Sequence, residues 1–400
     1  MTVASYKSKL GCVWLEEGMY FESYADPNLN DPISQNIGVK SCCRIQGLPD
    51  AYNGSSNSHY ITYTQLDKNR NNTEYTYDNL KDNACKKCKN DEDLHGYSMR
   101  TRANENAQRL PVNPDNKLRF LQLTFSSFCN LKCKYCGTTQ STAWNDDVDI
   151  SEGMFKVIQT NIETFEQEKK IISLCEKSDL SALKYIGVFG GEPFMARHFD
   201  QFMELLSSKA DVSKMYLQIN TNGSIFPKPK IIDIIKNFGK VDLRLSNESI
   251  GKLSEYIRNG SKWSDFEKNT NKWLEASVGT GIEARVHATH CVWNINKIQE
   301  FVEWTNNTGI EIFNSSTIKP LYSNVAAVLT EAQRKECSEI IDSMPDCATK
   351  KFTKNMLKSS SMEKQHDEAL SKFKKFTRIF DQRTPYKLEE VNPQLFAWTH

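Results

Sequence analysis

Three cysteines lie close together in the segment SSFCNLKCKYCGTTQ, as Cys129-x3-Cys133-x2-Cys136. Three thiolates can ligate three irons of a cubane 4Fe-4S cluster and leave the fourth iron open, which is what a cluster needs to bind and reduce a substrate. The competing interpretations are cysteines of the core or a zinc site, which usually takes paired C-x2-C ligands and four donors. Because no histidine lies near this loop, the spacing favours the cluster.

The cysteine loop directly follows an apolar, strand-like run, LRFLQLTF. From there the chain alternates such runs with amphipathic stretches, a pattern typical of repeated βα units on a parallel sheet. Parallel-sheet enzymes place their chemistry at the carboxyl ends of the strands. Six strands are predicted, at Leu118 to Phe125, Lys184 to Phe189, Lys214 to Asn220, Val241 to Leu245, Ile282 to Thr289 and Glu311 to Ile318. Amphipathic helices are predicted at Gly153 to Glu168, Phe199 to Ser208, Ile295 to Trp304 and Met362 to Phe380.

Polar motifs follow the next three strands. The second strand ends in a glycine-rich turn, where glycine lets the backbone approach a ligand and a glutamate can accept a hydrogen bond from an ammonium group. An arginine stands twelve residues after the serine that ends the fourth strand, and its planar fork suits a carboxylate. The residues are Gly190, Gly191, Glu192 and Pro193 after the second strand, Asn220 and Asn222 after the third, and Ser246 with Arg258 after the fourth.

Together with Tyr135 before the last cysteine, these motifs resemble the radical S-adenosylmethionine (SAM) superfamily, and they occur in that family's order. The resemblance implies that Gly190 to Pro193 bind the SAM amino group and that Asn220 and Asn222 lie beneath SAM. In the branch that modifies peptides and proteins, a serine and an arginine spaced like Ser246 and Arg258 bind the SAM ribose and carboxylate. The alternatives are a solvent-facing Arg258 and a Tyr135 that only packs the loop. The chain departs from the family's usual Ser-Ile-Asp-Gly, since it has Ser246-Asn247-Glu248-Ser249.

The amino-terminal part carries a second set of cysteines. Its segments around Cys12, Cys42, Cys43 and CKKCKNDEDLHGYSMR, which contains Cys85 and Cys88, resemble the auxiliary-cluster modules called SPASM and twitch, here placed before the core. The resemblance implies a second 4Fe-4S cluster held by Cys12, Cys42 or Cys43, Cys85 and Cys88. A four-cysteine zinc site stays open as the alternative, because both metals accept four thiolates.

Composition limits the partners and the compartment. Lysine and arginine number 51 against 50 acidic residues, so the chain has no overall attraction to nucleic acid or an anionic membrane. No apolar run is long enough for a membrane helix, and no signal peptide is visible. The many cysteines suggest metal ligands in a reducing compartment. We therefore expect a cytoplasmic protein. Lysines in SKFKKFTR, residues 371 to 378, indicate either a solvated helix face or a partner patch.

The expected fold is an α/β partial (βα)6 TIM-type barrel. Its predicted domains are an auxiliary-cluster module over 1–112, the barrel over 113–325 and a helical extension over 326–400. The resemblance implies a radical SAM enzyme that acts on a peptide or protein side chain, with a flavodoxin, ferredoxin or other reductase as electron donor. The alternatives are a small metabolite or nucleotide as substrate, and a non-catalytic iron–sulfur or zinc protein.

Overall fold

The fold is taken from a computed structural model, which describes residues 18–22, 38–40, 76–82, 85–96, 98–107, 117–138, 140–147, 164–316, 320–358 and 363–400. Cys12, Cys42 and Cys43 lie outside these residues, as does most of the helix predicted at Gly153 to Glu168.

The described part of the chain contains ten strands and fifteen α-helices. The strands are β1 (Gly18–Glu22), β2 (Gly38–Lys40), β3 (Phe120–Ser126), β4 (Lys132–Cys133), β5 (Tyr185–Gly190), β6 (Tyr216–Thr221), β7 (Lys240–Ser246), β8 (Arg258–Asn259), β9 (Ile282–His290) and β10 (Glu311–Ser316). The helices are α1 (Tyr77–Leu80), α2 (Lys86–His95), α3 (Met99–Ala107), α4 (Thr164–Lys177), α5 (Phe199–Lys209), α6 (Pro229–Lys236), α7 (Gly251–Ile257), α8 (Trp263–Ser277), α9 (Ile298–Thr308), α10 (Val325–Val328), α11 (Glu331–Asp342), α12 (Ala348–Leu357), α13 (His366–Asp381), α14 (Leu388–Val391) and α15 (Pro393–Thr399).

The chain forms two compact units. The first contains residues 1–127, 160–219 and 229–241, with strands in the order β6-β5-β3-β1-β2. Strand β5 is parallel to both β3 and β6, and almost every residue of β3 is buried, which is typical of a parallel strand covered on both faces. Helix α5 buries Phe199, Phe202, Met203 and Leu206, at the three- and four-residue spacing of one helix face.

The second unit contains residues 128–159, 220–228 and 242–400. Its strands follow the order β10-β9-β7, with β9 parallel to β10. Helix α13 buries Ala369, Phe373, Phe376 and Phe380, which pack in one apolar cluster with Trp144 and Trp293. The carboxyl-terminal helices and the segment that carries Cys129 to Cys136 therefore belong to the same unit.

The structure confirms the α/β class, the six predicted strands and the helical carboxyl-terminal region. The six strands are β3, β5, β6, β7, β9 and β10, with ends within two residues of the predicted ones wherever both ends are described. Strands β1, β2, β4 and β8 were not predicted. The two compact units divide the chain differently from the three predicted domains, whose boundaries stay a prediction. No helix in the described residues is long and apolar enough to cross a membrane.

Candidate iron–sulfur and SAM site

The loop that carries the three cysteines is fixed by a short antiparallel pair of strands. In this pair β4 lies beside β8, with Cys133 opposite Arg258, and the Lys134 amide donates to the Ile257 carbonyl at 2.9 Å. Gly260 follows with a positive φ of 98°, and a Cβ there would lie 2.9 Å from the Asn130 carbonyl oxygen. The loop therefore approaches the β8 turn so closely that this position requires glycine.

N–H groups surround two of the three thiols. Asn222 Nδ2 lies 3.7 Å from Cys129 Sγ, and the Leu131 amide lies 3.5 Å from the same sulfur. Arg258 Nη1 lies 3.8 Å from Cys133 Sγ. Donors of this kind stabilise thiolates, the form in which cysteine binds iron. The donor set therefore fits a thiolate-bound cluster.

In the described part of the chain, no group of three or more His, Cys, Asp or Glu side chains is placed to hold a metal ion. Each cysteine of a cubane binds a different iron, so the three thiols need not converge on one point. Without a bound metal, the hydrogen bond with Cys136 and burial raise the pKa of the Cys133 thiol above its ordinary value.

A buried carboxylate that the sequence analysis did not assign joins the loop to Arg258. Glu248 Oε2 accepts from Arg258 Nη2 at 2.7 Å and Nε at 3.1 Å, and from the Tyr135 hydroxyl at 2.9 Å. Although burial opposes the charged form, the Glu248 carboxylate raises the pKa of Arg258 above its ordinary value. Arg258 is thus a buried residue, only 5% exposed, and the solvent-facing alternative is wrong.

This pairing bears on the predicted SAM contacts. Two guanidinium nitrogens of Arg258 face Glu248 and the third faces Cys133, so a SAM carboxylate would have to share the guanidinium with them. Asn222 is buried and also donates to Asn130 Oδ1 at 2.9 Å, while Ser246 ends β7 with a half-buried side chain. The roles of these residues toward SAM stay predictions. The departure from Ser-Ile-Asp-Gly was the only sequence signal that pointed to Glu248.

A second unassigned residue, Lys134, lies between two of the predicted iron ligands. Its side chain is fully buried, with Nζ 3.4 Å from the ring centre of Phe380 and 3.6 Å from that of Tyr256. Its carbonyl accepts from the Tyr322 hydroxyl at 3.2 Å. Burial lowers the pKa of the Lys134 ammonium below its ordinary value, while the aromatic rings offer cation–π contacts to the charged form. Helix α13 thereby contacts the cysteine loop, a contact that no sequence pattern indicated.

The glycine-rich turn belongs to the first unit. Gly190 has a positive φ of 121°, and a Cβ there would lie 2.3 Å from the Ser126 carbonyl oxygen. That oxygen accepts from the Gly191 amide at 2.7 Å. Glu192 is fully buried, accepts from the Phe194 amide at 3.1 Å and precedes a 3-10 turn that begins at Pro193. The turn thus has the close backbone approach that the sequence indicated.

In the amino-terminal region, Cys85 and Cys88 are both buried, at the start of α2. Four residues downstream of Cys88, Glu92 accepts hydrogen bonds from Tyr77, Ser98 and Arg100. These bonds join α1, α2 and the start of α3 in one polar network. The predicted auxiliary ligands Cys12, Cys42 and Cys43 lie outside the described residues, so the second cluster stays a prediction.

Comparison with known proteins gives a family match over the core. Residues 123–305 match the model of the Radical SAM superfamily. GTP 3',8-cyclase of Helicobacter pylori is 23% identical over 196 residues, which are 48% of this chain and 54% of the relative. The radical SAM cyclopropyl synthase TigE of Paramaledivibacter caminithermalis is 28% identical over 169 residues, which are 41% of this chain and 34% of the relative. The chain thus spans about half, or less, of the length of these relatives.

Solved structures give weaker likenesses. A structure described as native anSMEcpe with bound AdoMet has a TM-score of 0.40 at 17% identity, over 55% of this chain and 59% of that one. Streptococcus suis SuiB bound to S-adenosylmethionine has a TM-score of 0.36 at 18% identity, over 68% of this chain and 58% of that one.

Proposed function

We propose that this chain is a radical SAM enzyme, which cleaves SAM reductively and directs the resulting radical to a substrate. Residues 123–305 match the model of that superfamily, which supports the proposal. The observation that carries the proposal is the loop from Cys129 to Cys136, which carries three thiols at the family's spacing. Two of these thiols, those of Cys129 and Cys133, lie beside N–H donors to sulfur. When bound, the cluster would supply one electron to SAM, whose cleavage gives methionine and a 5'-deoxyadenosyl radical that takes a hydrogen atom from the substrate.

The chain's own residues orient and shield this chemistry. Cys129, Cys133 and Cys136 would hold three irons and leave one open. Arg258 and Asn222 direct N–H groups at the sulfurs, and Tyr135 and Glu248 hold the Arg258 side chain in place. The Gly190 to Pro193 turn and Ser246 would bind the amino and ribose groups of SAM, as in the family that the chain resembles.

For the substrate we propose a peptide or protein side chain. The support is the twelve-residue separation of Ser246 and Arg258, which resembles the peptide- and protein-modifying branch. A nucleotide is the second candidate, because two of the matched relatives are GTP 3',8-cyclases. The two candidates differ in a simple assay, since only a nucleotide enzyme would form more 5'-deoxyadenosine when GTP is added.

Anaerobically reconstituted protein tests the central proposal. With a strong chemical reductant it should show iron–sulfur absorption and convert SAM to 5'-deoxyadenosine. Replacing Cys129, Cys133 and Cys136 together by alanine should abolish this product, because a cluster without these ligands has no defined open iron. A Cys175→Ala variant, which removes a buried thiol of the other unit, serves as the control. Cleavage that persists in the triple variant would contradict the proposal.

We also propose a second 4Fe-4S cluster that involves Cys85 and Cys88. Changing both to serine should remove about half of the bound iron, because the loop ligands belong to a separate segment of the chain. SAM should still be cleaved, whereas turnover of the true substrate should be lost. About one equivalent of zinc with only four irons in the native protein would show a zinc site instead.

A further inference from the structure

A basic groove lies on the exposed side of helix α13. Lys374, Lys375 and Arg378 are exposed and line it together with Ser371, Thr377, Asp381, Phe396 and His400, around a volume of about 580 Å³. Within the described residues none of these three cations forms an ion pair, whereas Lys372 on the same helix is paired with Glu368. The Asp381 carboxylate accepts from the Tyr256 hydroxyl and the Leu388 amide, so its hydrogen bonds are made within the protein. The groove therefore presents three positive charges against the single negative charge of Asp381, and its surface is net positive.

The buried side of the same helix contacts the cysteine loop. Phe380 and Phe376 have ring centres 3.4 and 5.3 Å from Lys134 Nζ, and Lys134 lies between Cys133 and Cys136 in the chain. Tyr256 and Trp144 pack against Phe380 with ring centres 6.2 and 6.0 Å apart. A helix with its side chains is about 10 to 12 Å across. A protein seated in the groove would thus be separated from the predicted cluster ligands by about one helix, through closely packed aromatic rings.

We propose that this groove is the docking surface for an acidic one-electron carrier protein. The inference rests on the proposed function, which requires that one electron reach the cluster for each SAM cleaved. The carrier loses that electron and the cluster site gains it, while no bond is formed or broken and no proton is transferred. Electron-transfer complexes are small and transient, and complementary charge speeds their formation more than it tightens them. Exposed cations that form no ion pair within the described residues fit such a transient, charge-guided partner.

Charge reversal of the groove tests the proposal on the reconstituted holoenzyme. The variant K374E/K375E/R378E is compared with K335E/K351E/K358E, which reverses three exposed lysines of the same unit outside the groove. Initial rates of SAM cleavage are measured with reduced flavodoxin and with dithionite, at low and at high salt. The groove variant should lose at least about tenfold in the flavodoxin-driven rate at low salt, while its dithionite-driven rate and the control variant stay unchanged.

Binding of flavodoxin to the protein, measured by surface plasmon resonance, provides a readout that does not need catalysis. The groove variant should bind flavodoxin more weakly than the wild type does. Added salt should weaken flavodoxin binding most in the wild type, because its groove charges are intact. Equal flavodoxin binding by the groove variant and the control variant would overturn the docking proposal. If the wild type cleaves SAM neither with dithionite nor with reduced flavodoxin, the proposed function is contradicted instead. If the charge reversal prevents folding, K374Q/K375Q/R378Q is measured in its place.

Discussion

Replacing Glu248 by glutamine tests whether the buried carboxylate holds the cysteine loop and Arg258 together. Glutamine keeps the size of the side chain and can still accept from the Tyr135 hydroxyl, but it removes the charge that faces the guanidinium. The two side chains of the pair are 6% and 0% exposed, so water cannot replace the lost interaction. Removing one partner of a buried ion pair costs about 3 to 5 kcal/mol of folding stability. Because the glutamine still accepts from the Tyr135 hydroxyl, we expect a loss near the lower end, about 3 kcal/mol.

Hydrogen exchange provides the local measurement. Because Cys133 pairs with Arg258 through β4 and β8, the amides of this short sheet should become accessible when the ion pair is weakened. A loss of about 3 kcal/mol corresponds to roughly hundredfold faster exchange, since each 1.4 kcal/mol is a factor of ten. Mass spectrometry of peptides covering residues 130–136 and 255–260 would detect this change.

The same substitution at an exposed ion pair gives the control. Glu311 is 77% exposed and accepts from Arg285 Nε at 3.1 Å, so Glu311→Gln should cost less than about 1 kcal/mol. Amide exchange around β4 and β8 that is no faster in the Glu248 variant than in the Glu311 variant would show that the buried carboxylate does not hold this short sheet together.

Two further predictions concern SAM binding and pH. Arg258→Lys keeps the charge but loses the planar donor, so calorimetry on the reconstituted protein should show SAM binding weakened by about 1 to 3 kcal/mol. Unchanged affinity would contradict a contact between Arg258 and the SAM carboxylate. Burial lowers the pKa of His290 to about 4, so it stays neutral in the folded protein while the unfolded chain takes up a proton near pH 6.5. Its contribution to stability is therefore lost as the pH falls from about 6.5 toward 4, amounting to about 1 kcal/mol between pH 7.5 and 5.5. Denaturant unfolding should show a smaller decrease over this range in His290→Gln, and an equal decrease would contradict the assignment.

Much of the fold could be predicted from the sequence because the signals are local. The run FLQLTFS is apolar enough to mark β3, and the spacing of Phe199, Phe202 and Leu206 marks one face of α5. The short pair β4 and β8 gave no such signal, since each strand has only two residues and neither has a hydrophobic pattern. Its formation depends on bringing together two segments more than a hundred residues apart.

The candidate site was predictable to a similar degree. The cysteine spacing and the glycine turn could be predicted because each motif is formed by residues that lie close together in the sequence. The close approach of Gly190 to Ser126 agrees with the need for glycine at that position. The partner of Arg258 could not be found in this way, because Glu248 and Arg258 lie at opposite ends of α7 and the segment that contains Glu248 departs from the family pattern. The burial of Lys134 could not be predicted either. The sequence shows that Phe376 and Phe380 lie on one apolar face of a helix, but it does not show that this face packs against a residue so far away in the chain.

The enclosure of Lys134 also affects when the cysteine loop can reach its final form during synthesis. Phe380 is added to the growing chain nearly 250 residues after Lys134. At about 5 to 20 residues per second, the ribosome needs roughly 12 to 50 s to cover that interval. Throughout this time Lys134 lacks the aromatic rings of α13, and the loop between Cys133 and Cys136 lacks its support on that side. Stable delivery of iron and sulfide to the loop is therefore expected to follow completion of α13 rather than to occur on the nascent chain.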